Sequence, residues 1–397
     1  MPRGNPADWV ALNLLPSTGP ILQRRALARF HDPAEIAHRL SPNGWLTLPG
    51  IGPSAVNEIL AARKGLRSRA EREVKQCERR GIRLITADDD HYPAALAELS
   101  DAPVLLYLRG SLPERIVRVA VVGSRRATAY GRRIATGLGS SLAARGIEVV
   151  SGGARGIDTL AHRGALETGG RTTAVLGSGL LRPYPIENEE MFEKIAERGA
   201  VLSEFPLDTR PRPENFPRRN RLISGLATAV VVVEAAPRSG SLITVGHALE
   251  QGREVLAVPG PVSSEQSQGC HRLIQQGAKL IQEVDDILEE LSPMYTAALP
   301  VPGIGPGDGD EKARNDNELG EDEANVLAIL TDDPEAVHID ALADRVPFGV
   351  ARLQTALFGL ELRGLVDQTP GRYYLCRPSN SDPGGPKSGE GRWRDLW

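Results

Sequence analysis

Only three cysteines occur in 397 residues: Cys77, Cys270 and Cys376. They are odd in number and far apart, so neither a disulfide framework nor a CxxC zinc knuckle can be built from them. A reducing, cytoplasmic setting fits that usage best. The seven histidines are scattered and form no HExxH, so no histidine-built metal site is expected. No long apolar run opens the chain, which leads us to expect neither a signal peptide nor a membrane span. A GxxxxGK[ST] loop and a GxGxxG turn are both missing, so NTPase and dinucleotide readings lose their main support and no cofactor is expected. Aromatic residues make up 4%, too few for a protein that holds nucleic acid chiefly by stacking bases on many rings. The formal net charge is −4, so any affinity for nucleic acid has to come from a local basic surface.

The rest of the composition, 41% hydrophobic and 25% charged, is that of an ordinary globular protein with room for two or three domains. Residues 1–70 read as a small helical domain, with Leu22, Ala26, Leu27 and Phe30 at helical spacing. From residue 71 to 291 apolar, β-branched runs alternate with helix-length segments. The runs are VRVAVVGS (117–124), IEVVSGG (147–153), RTTAVLGSG (171–179), GAVLSEF (199–205), TAVVVVEA (228–235) and EVLAVPG (254–260). Most are continuously apolar, as strands covered on both faces require, so a doubly wound, mostly parallel α/β sheet is expected. Helices are expected at 129–145, 157–168, 188–197 and 241–251. Residues 292–320, rich in Pro, Gly and charge, read as a linker. Residues 321–377 carry three helical patterns and a two-stranded wing, the layout of a winged helix. Residues 378–397 read as a disordered tail.

Chemistry concentrates where strands hand over to helices. The first long strand ends in Gly123-Ser124-Arg125, the second in a glycine-rich turn containing Gly153, and the fifth in Glu234-Ala235-Ala236, followed by Ser239-Gly240-Ser241 and Thr244. In an open parallel sheet ligands sit beyond the carboxyl ends of the strands. Glycine lets backbone approach an anion there, helix N-termini supply free N–H groups, and Arg125 adds a guanidinium fork. Between these mouths in sequence lies PLDTRPRPENFPRRNRLISG (206–225), with Arg210, Arg212, Arg218, Arg219 and Arg221 around Phe216 and Asn220. Its four prolines suggest an extended, stiff loop offering phosphate contacts and one ring for a base. Several phosphate subsites along one rim suit a nucleic-acid strand better than a single nucleotide. Asp158 and Glu234 lie nearby, but no nucleophile–base pair or carboxylate cluster for Mg²⁺ accompanies them. No catalytic residue is therefore assigned.

Six segments in register, VAVVGSRRATAYG, SGGARGIDTLAH, AVLGSGLLRPYPIEN, FPRRNRLISGL, VVVEAAPRSGSLIT and GREVLAVPG, resemble the DprA/Smf family of DNA-processing proteins across residues 71–291. The resemblance implies an extended Rossmann-like domain that binds single-stranded DNA without chemistry. Gly123, Ser124, Arg125, Phe216, Arg219, Asn220, Ser239, Gly240 and Ser241 match its pocket positions. It also implies protection of incoming strands during natural transformation, loading of the RecA recombinase, and a homodimer formed through the segment containing His271, Ile274 and Leu280. Where some members carry a DNA-contacting lysine three residues before the motif phenylalanine, this chain has Pro213, with Arg212 beside it. The Gly50-Ile51-Gly52 turn resembles a helix-hairpin-helix, which suggests a SAM- or helix-hairpin-helix-like N-terminal domain. The winged-helix segment is not strongly basic, so a protein-contact or regulatory role is expected for it. The competing reading is a nucleoside-monophosphate N-glycosidase, a related Rossmann-like enzyme. Its PGGxGTxxE motif is absent, and RSGSLIT stands at the matching place.

Overall fold

The computed structural model describes residues 4–113, 116–291, 320–331, 333, 337–362, 365–369 and 373–376. The chain divides into two compact units on either side of residue 305. The expected linker, up to residue 319, and the expected tail lie outside the described residues.

The first unit is built on a nine-stranded sheet in the order β1-β2-β6-β5-β4-β3-β7-β8-β9. Its strands are β1 (Arg83–Thr86), β2 (Leu105–Gly110), β3 (Arg118–Val122), β4 (Glu148–Ser151), β5 (Thr172–Val175), β6 (Ala200–Ser203), β7 (Ala229–Val232), β8 (Glu254–Ala257) and β9 (Lys279–Leu280). From β6 to β9 every pairing is parallel. β1 and β2 add an antiparallel margin that the apolar runs do not announce.

The continuous apolar runs are explained by what covers each face. In β3, Ala120 and Val122 pack beneath α10 (Asn215–Leu226), α11 (Ser241–Glu250) and α12 (Gln268–Gln275). Val119 and Val121 pack on the other face against α7 (Ala129–Ala144), α8 (Ile157–Glu167) and α13 (Val284–Glu290). α9 (Glu189–Arg198) extends that second layer through Met191, Phe192 and Ile195. Every residue of β3 is buried, and its one polar side chain, Arg118, is paired with Glu148, so neither face tolerates a polar alternation. Each of its valines contributes on the order of 1.5–3 kcal/mol.

The N-terminal helices do not form a separate body. Helix α5 (Leu66–Arg79) runs through the expected boundary at residue 70. Trp9, Leu12 and Trp45 share one core with Leu105, Tyr107 and Leu207 of the sheet domain. The physical reason is β2, whose outward-facing Leu105 and Tyr107 would be exposed without those helices.

The second unit holds a three-stranded antiparallel sheet in the order β10-β12-β11. The strands are Val337–His338, Val366–Thr369 and Tyr373–Cys376 in chain order, with helices at Glu321–Thr331, Ile339–Ala343 and Val350–Leu362. Val326, Leu342, Leu353 and Leu357 form its core. This is the expected winged helix, with the short β10 added to the wing. No described helix is long and apolar enough to cross a membrane.

Candidate nucleic-acid interface

From β3 the chain moves outward through β4, β5 and β6, then returns to place β7 and β8 on the other side of β3. The loops leaving the carboxyl ends of β3 and β7 therefore diverge, and the gap between them is where an open α/β sheet accepts a ligand. A cavity of about 950 Å³ opens there. Of the expected contact residues, Gly123, Ser124, Arg125, Phe216, Arg219, Asn220, Ser239, Gly240, Ser241 and Thr244 all line it. Gly153, Arg218 and Arg221 do not.

The walls are set by interlocking turns. The backbone N–H of Ser124 donates to Glu234 O at 2.7 Å, and the N–H of Arg126 donates to Ser124 Oγ at 3.1 Å. A Cβ on Gly123 would meet Ile157 and the Glu234 carbonyl, so glycine there serves packing as well as the cavity wall. Gly156 sits at φ +81° with Ser124 O where its Cβ would stand, a place only glycine fills. On the opposite wall, Ser239 Oγ and Ser241 Oγ are 2.8 Å apart at the start of α11, and Asn220 Nδ2 donates to Gly240 O at 3.3 Å. Two hydroxyls at the N-terminus of a ten-residue helix make an anion-accepting corner.

The expected arginine loop is instead helical from Asn215 onward, and this separates its charges. Pro217 is tolerated because the first turn needs no N–H from it. Residues three apart share a helix face. Arg218 and Arg221 accordingly both turn to the buried Glu204, at 3.8 and 2.6 Å, and Arg221 also meets Asp101 at 3.2 Å. Arg221 is thus an internal ion-pair residue, and Arg218 lies over the Phe205 ring beside a different, smaller cavity. Phe216 and Arg219, likewise three apart, face the main cavity. Gly153 is displaced because Asn188 Nδ2 takes its carbonyl at 3.0 Å and the Phe192 ring fills the space beside it.

Arg219 reaches the cavity as a strut. Its side chain is buried, and Nη1 donates to Gly152 O at 2.8 Å and to Val175 O, tying together the ends of β4 and β5. Burial brings its guanidinium down to about 10, against the pull of Asp158. Burial likewise holds the Asp158 carboxyl above its ordinary range, opposed by Arg219 and by the N–H groups of Ala154 and Gly152. Glu234 accepts from the backbone N–H of Thr128 at 3.0 Å and from its hydroxyl, anchoring the start of α7. Asp158 and Glu234 are therefore both committed to holding backbone.

The exposed charge is different. Arg125, Arg126 and Arg238 line the cavity and make no ion pair with any described residue, with Glu265 the exposed acid among them. Arg125 lies over the Phe216 ring at 5.5 Å, and that ring stands 5.6 Å from Tyr184, which Arg155 covers at 5.7 Å. This alternation of guanidinium and ring gives flat surfaces for bases beside donors for phosphates. Tyr184, Arg126 and Arg238 were missed as contacts from sequence. The signal for Tyr184 is its place after a strand end in LRPYP, at the same sheet edge as the other mouths. Pro211 and Pro213 line the cavity and Arg212 does not, so the basic side chain next to the replaced lysine position lies outside the cavity lining.

His271 Nε2 lies 2.9 Å from Gly260 O, Ile274 packs partly into the core, and Leu280 is exposed on β9, the edge of the sheet. In the winged helix, Arg345 pairs with Asp333 and Arg352 with Asp322.

An open, mostly parallel sheet with a cationic, ring-bearing cavity at its switch point defines a Rossmann-like protein. The profile of the family described as DNA recombination-mediator protein A matches residues 83–292, and that of the DprA winged helix domain matches 310–372. The Smf protein of Synechocystis is 32% identical over 95% of this chain and 100% of its own length. That of Escherichia coli is 42% identical over 74% of this chain and 77% of its own. The X-ray structure of DNA processing protein A from Streptococcus pneumoniae superposes with a TM-score of 0.62 at 34% identity, covering 72% of this chain and 96% of that one. The chain belongs to the DprA/Smf family of DNA-processing proteins.

Proposed function

We propose that this protein binds single-stranded DNA in the cavity between β3 and β7, shields it, and helps load RecA recombinase on it in recombination and natural transformation, with no chemistry on the strand. The observation that carries this reading is the cavity's combination of unpaired Arg125 and Arg238, the Ser239–Ser241 corner and the Phe216–Tyr184 rings. Phosphates and splayed bases require those groups together, whereas duplex DNA hides its bases from rings. The protein works in the cytoplasm as a homodimer joined through the segment that carries His271 and Ile274 on α12 and Leu280 on β9. The winged helix, whose Arg345 and Arg352 are held by acids, serves protein contact in preference to duplex DNA.

The test is fluorescence anisotropy with the full chain, a labelled oligothymidylate and a duplex of the same length, across salt. Tighter binding to the single strand is expected, with log K falling by about 0.7 per neutralised phosphate for each decade of salt. Equal affinity for both forms, or none for either, overturns the reading.

A further inference from the structure

A second cleft, of about 330 Å³, adjoins the cavity and shares Arg125 and Arg126 with it. Arg132 from α7 and Arg163 from α8 complete its charged lining, with Gly156 and Leu160 among the other residues. No acidic side chain lines it. All four arginines are exposed, and none makes an ion pair with a described residue. Two other exposed arginines near this rim sit against carboxylates, Arg155 with Glu187 and Arg182 with Asp208, whereas this cleft gathers four that do not. Four uncompensated guanidiniums around one cleft repel one another, and in a chain of net charge −4 that cost marks a place kept for an anion.

Helix packing makes the cleft. A Cβ on Gly139 would stand 2.2 Å from Ala161 O, and one on Gly164 2.1 Å from Thr136 O, so α7 and α8 touch backbone to backbone. Arg132 lies one turn before Thr136 and Arg163 is next to Gly164, so this contact brings the two onto one groove. An isolated anion site would have its own ligands. This one is continuous with the cavity through two shared arginines.

We infer that the DNA strand leaving the cavity runs into this cleft, where Arg126, Arg132 and Arg163 hold its backbone phosphates without reading bases. The inference rests on the cavity being the strand's binding site and extends its footprint toward α7 and α8. The cleft's lining includes no aromatic side chain, which assigns it to phosphate and not to base.

The experiment compares the full-length protein with the Arg132→Glu/Arg163→Glu double variant on oligothymidylates of roughly 5 and roughly 20 nucleotides, lengths chosen to fill the cavity alone or to reach past it. The expected result is short-oligomer affinity unchanged within twofold, long-oligomer affinity at least tenfold weaker, and a long-oligomer salt slope shallower by about 1.4, two phosphate contacts. An Arg67→Glu/Arg79→Glu variant on α5, which packs at the β1 edge of the sheet, changes net charge equally and is expected to leave both affinities alone. Equal loss in that control, equal loss at both lengths, or no loss at either would overturn the inference while the cavity reading stands. Failure of the unaltered protein to bind any oligomer would instead refute the cavity reading and this extension with it.

Discussion

Replacing Arg219 by methionine separates a structural role from a phosphate contact at the centre of the cavity. The guanidinium is buried, donates to the carbonyls of Gly152 and Val175, and offsets the buried Asp158. Methionine keeps much of the volume but leaves two carbonyl acceptors without that donor and a carboxyl without its counter-charge. Leaving a buried acceptor without its donor costs about 1–3 kcal/mol. Part is recovered as Asp158, already raised by burial, takes up a proton more readily once Arg219 is gone. Arg125→Met is the matched comparison. Arg125 is exposed and its only described side-chain neighbour interaction is with the Phe216 ring, so stability should move by less than about 0.5 kcal/mol. Urea denaturation reads the first quantity and the salt dependence of oligothymidylate binding the second. We expect Arg219→Met to lose several kcal/mol with the salt slope of the folded fraction unchanged. For Arg125→Met we expect full stability and a slope shallower by about 0.7. An Arg219→Met protein as stable as the original, with the slope reduced, would refute the strut and make Arg219 a phosphate ligand.

Three further outcomes follow from the geometry. Ser239→Ala/Ser241→Ala removes two neutral donors, so oligonucleotide affinity should fall about fivefold to tenfold, on the order of 1 kcal/mol, while the salt slope stays as it was. A shallower slope would show that the corner acts through charge. Gly131→Ala places a Cβ 2.2 Å from Glu234 Oε2, the carboxylate that anchors Thr128, so a loss of about 1–3 kcal/mol is expected in chemical denaturation. Unchanged stability would mean that Glu234 is free to move. His162 is buried, its Nδ1 lies 2.6 Å from Thr172 Oγ1, and that hydroxyl donates to Val149 O, so Nδ1 is the donor and Nε2 carries the lone pair with no partner. Burial takes its pKa down to about 3, so the unfolded chain takes up a proton the folded one refuses. Stability is complete above the unfolded value near 6.5 and declines as pH falls toward the folded one, by about 1.4 kcal/mol at pH 5.5. The raised carboxyls of Asp158 and Glu204 act in the opposite sense, their contribution to stability rising as pH falls. Comparing pH 7.5 with pH 5.5 should show that loss in the unaltered protein and its absence in His162→Asn. The same loss in both would assign it elsewhere.

Much of the fold is legible in the amino-acid order itself. Buried parallel strands need apolar residues at every position, and β3 to β8 were therefore visible as continuous runs. Strand-to-helix turns that approach an anion need glycine and hydroxyls, so Gly123-Ser124-Arg125 and Ser239-Gly240-Ser241 stood out, and both line the cavity. β1 and β2 were less visible, because short antiparallel edge strands carry no long apolar signature.

Tertiary structure decided where each arginine side chain goes. Arg218, Arg219 and Arg221 read alike as a basic cluster, yet helical periodicity and the carboxylate of Glu204 send two of them inward or aside and one into the cavity wall. The chain's amino-acid order determined the layers, the switch point and the chemistry available at its rim. Which guanidiniums stay free for a ligand depends on distances to acids far away in sequence, as Asp101 is from Arg221, and only packing brings those together.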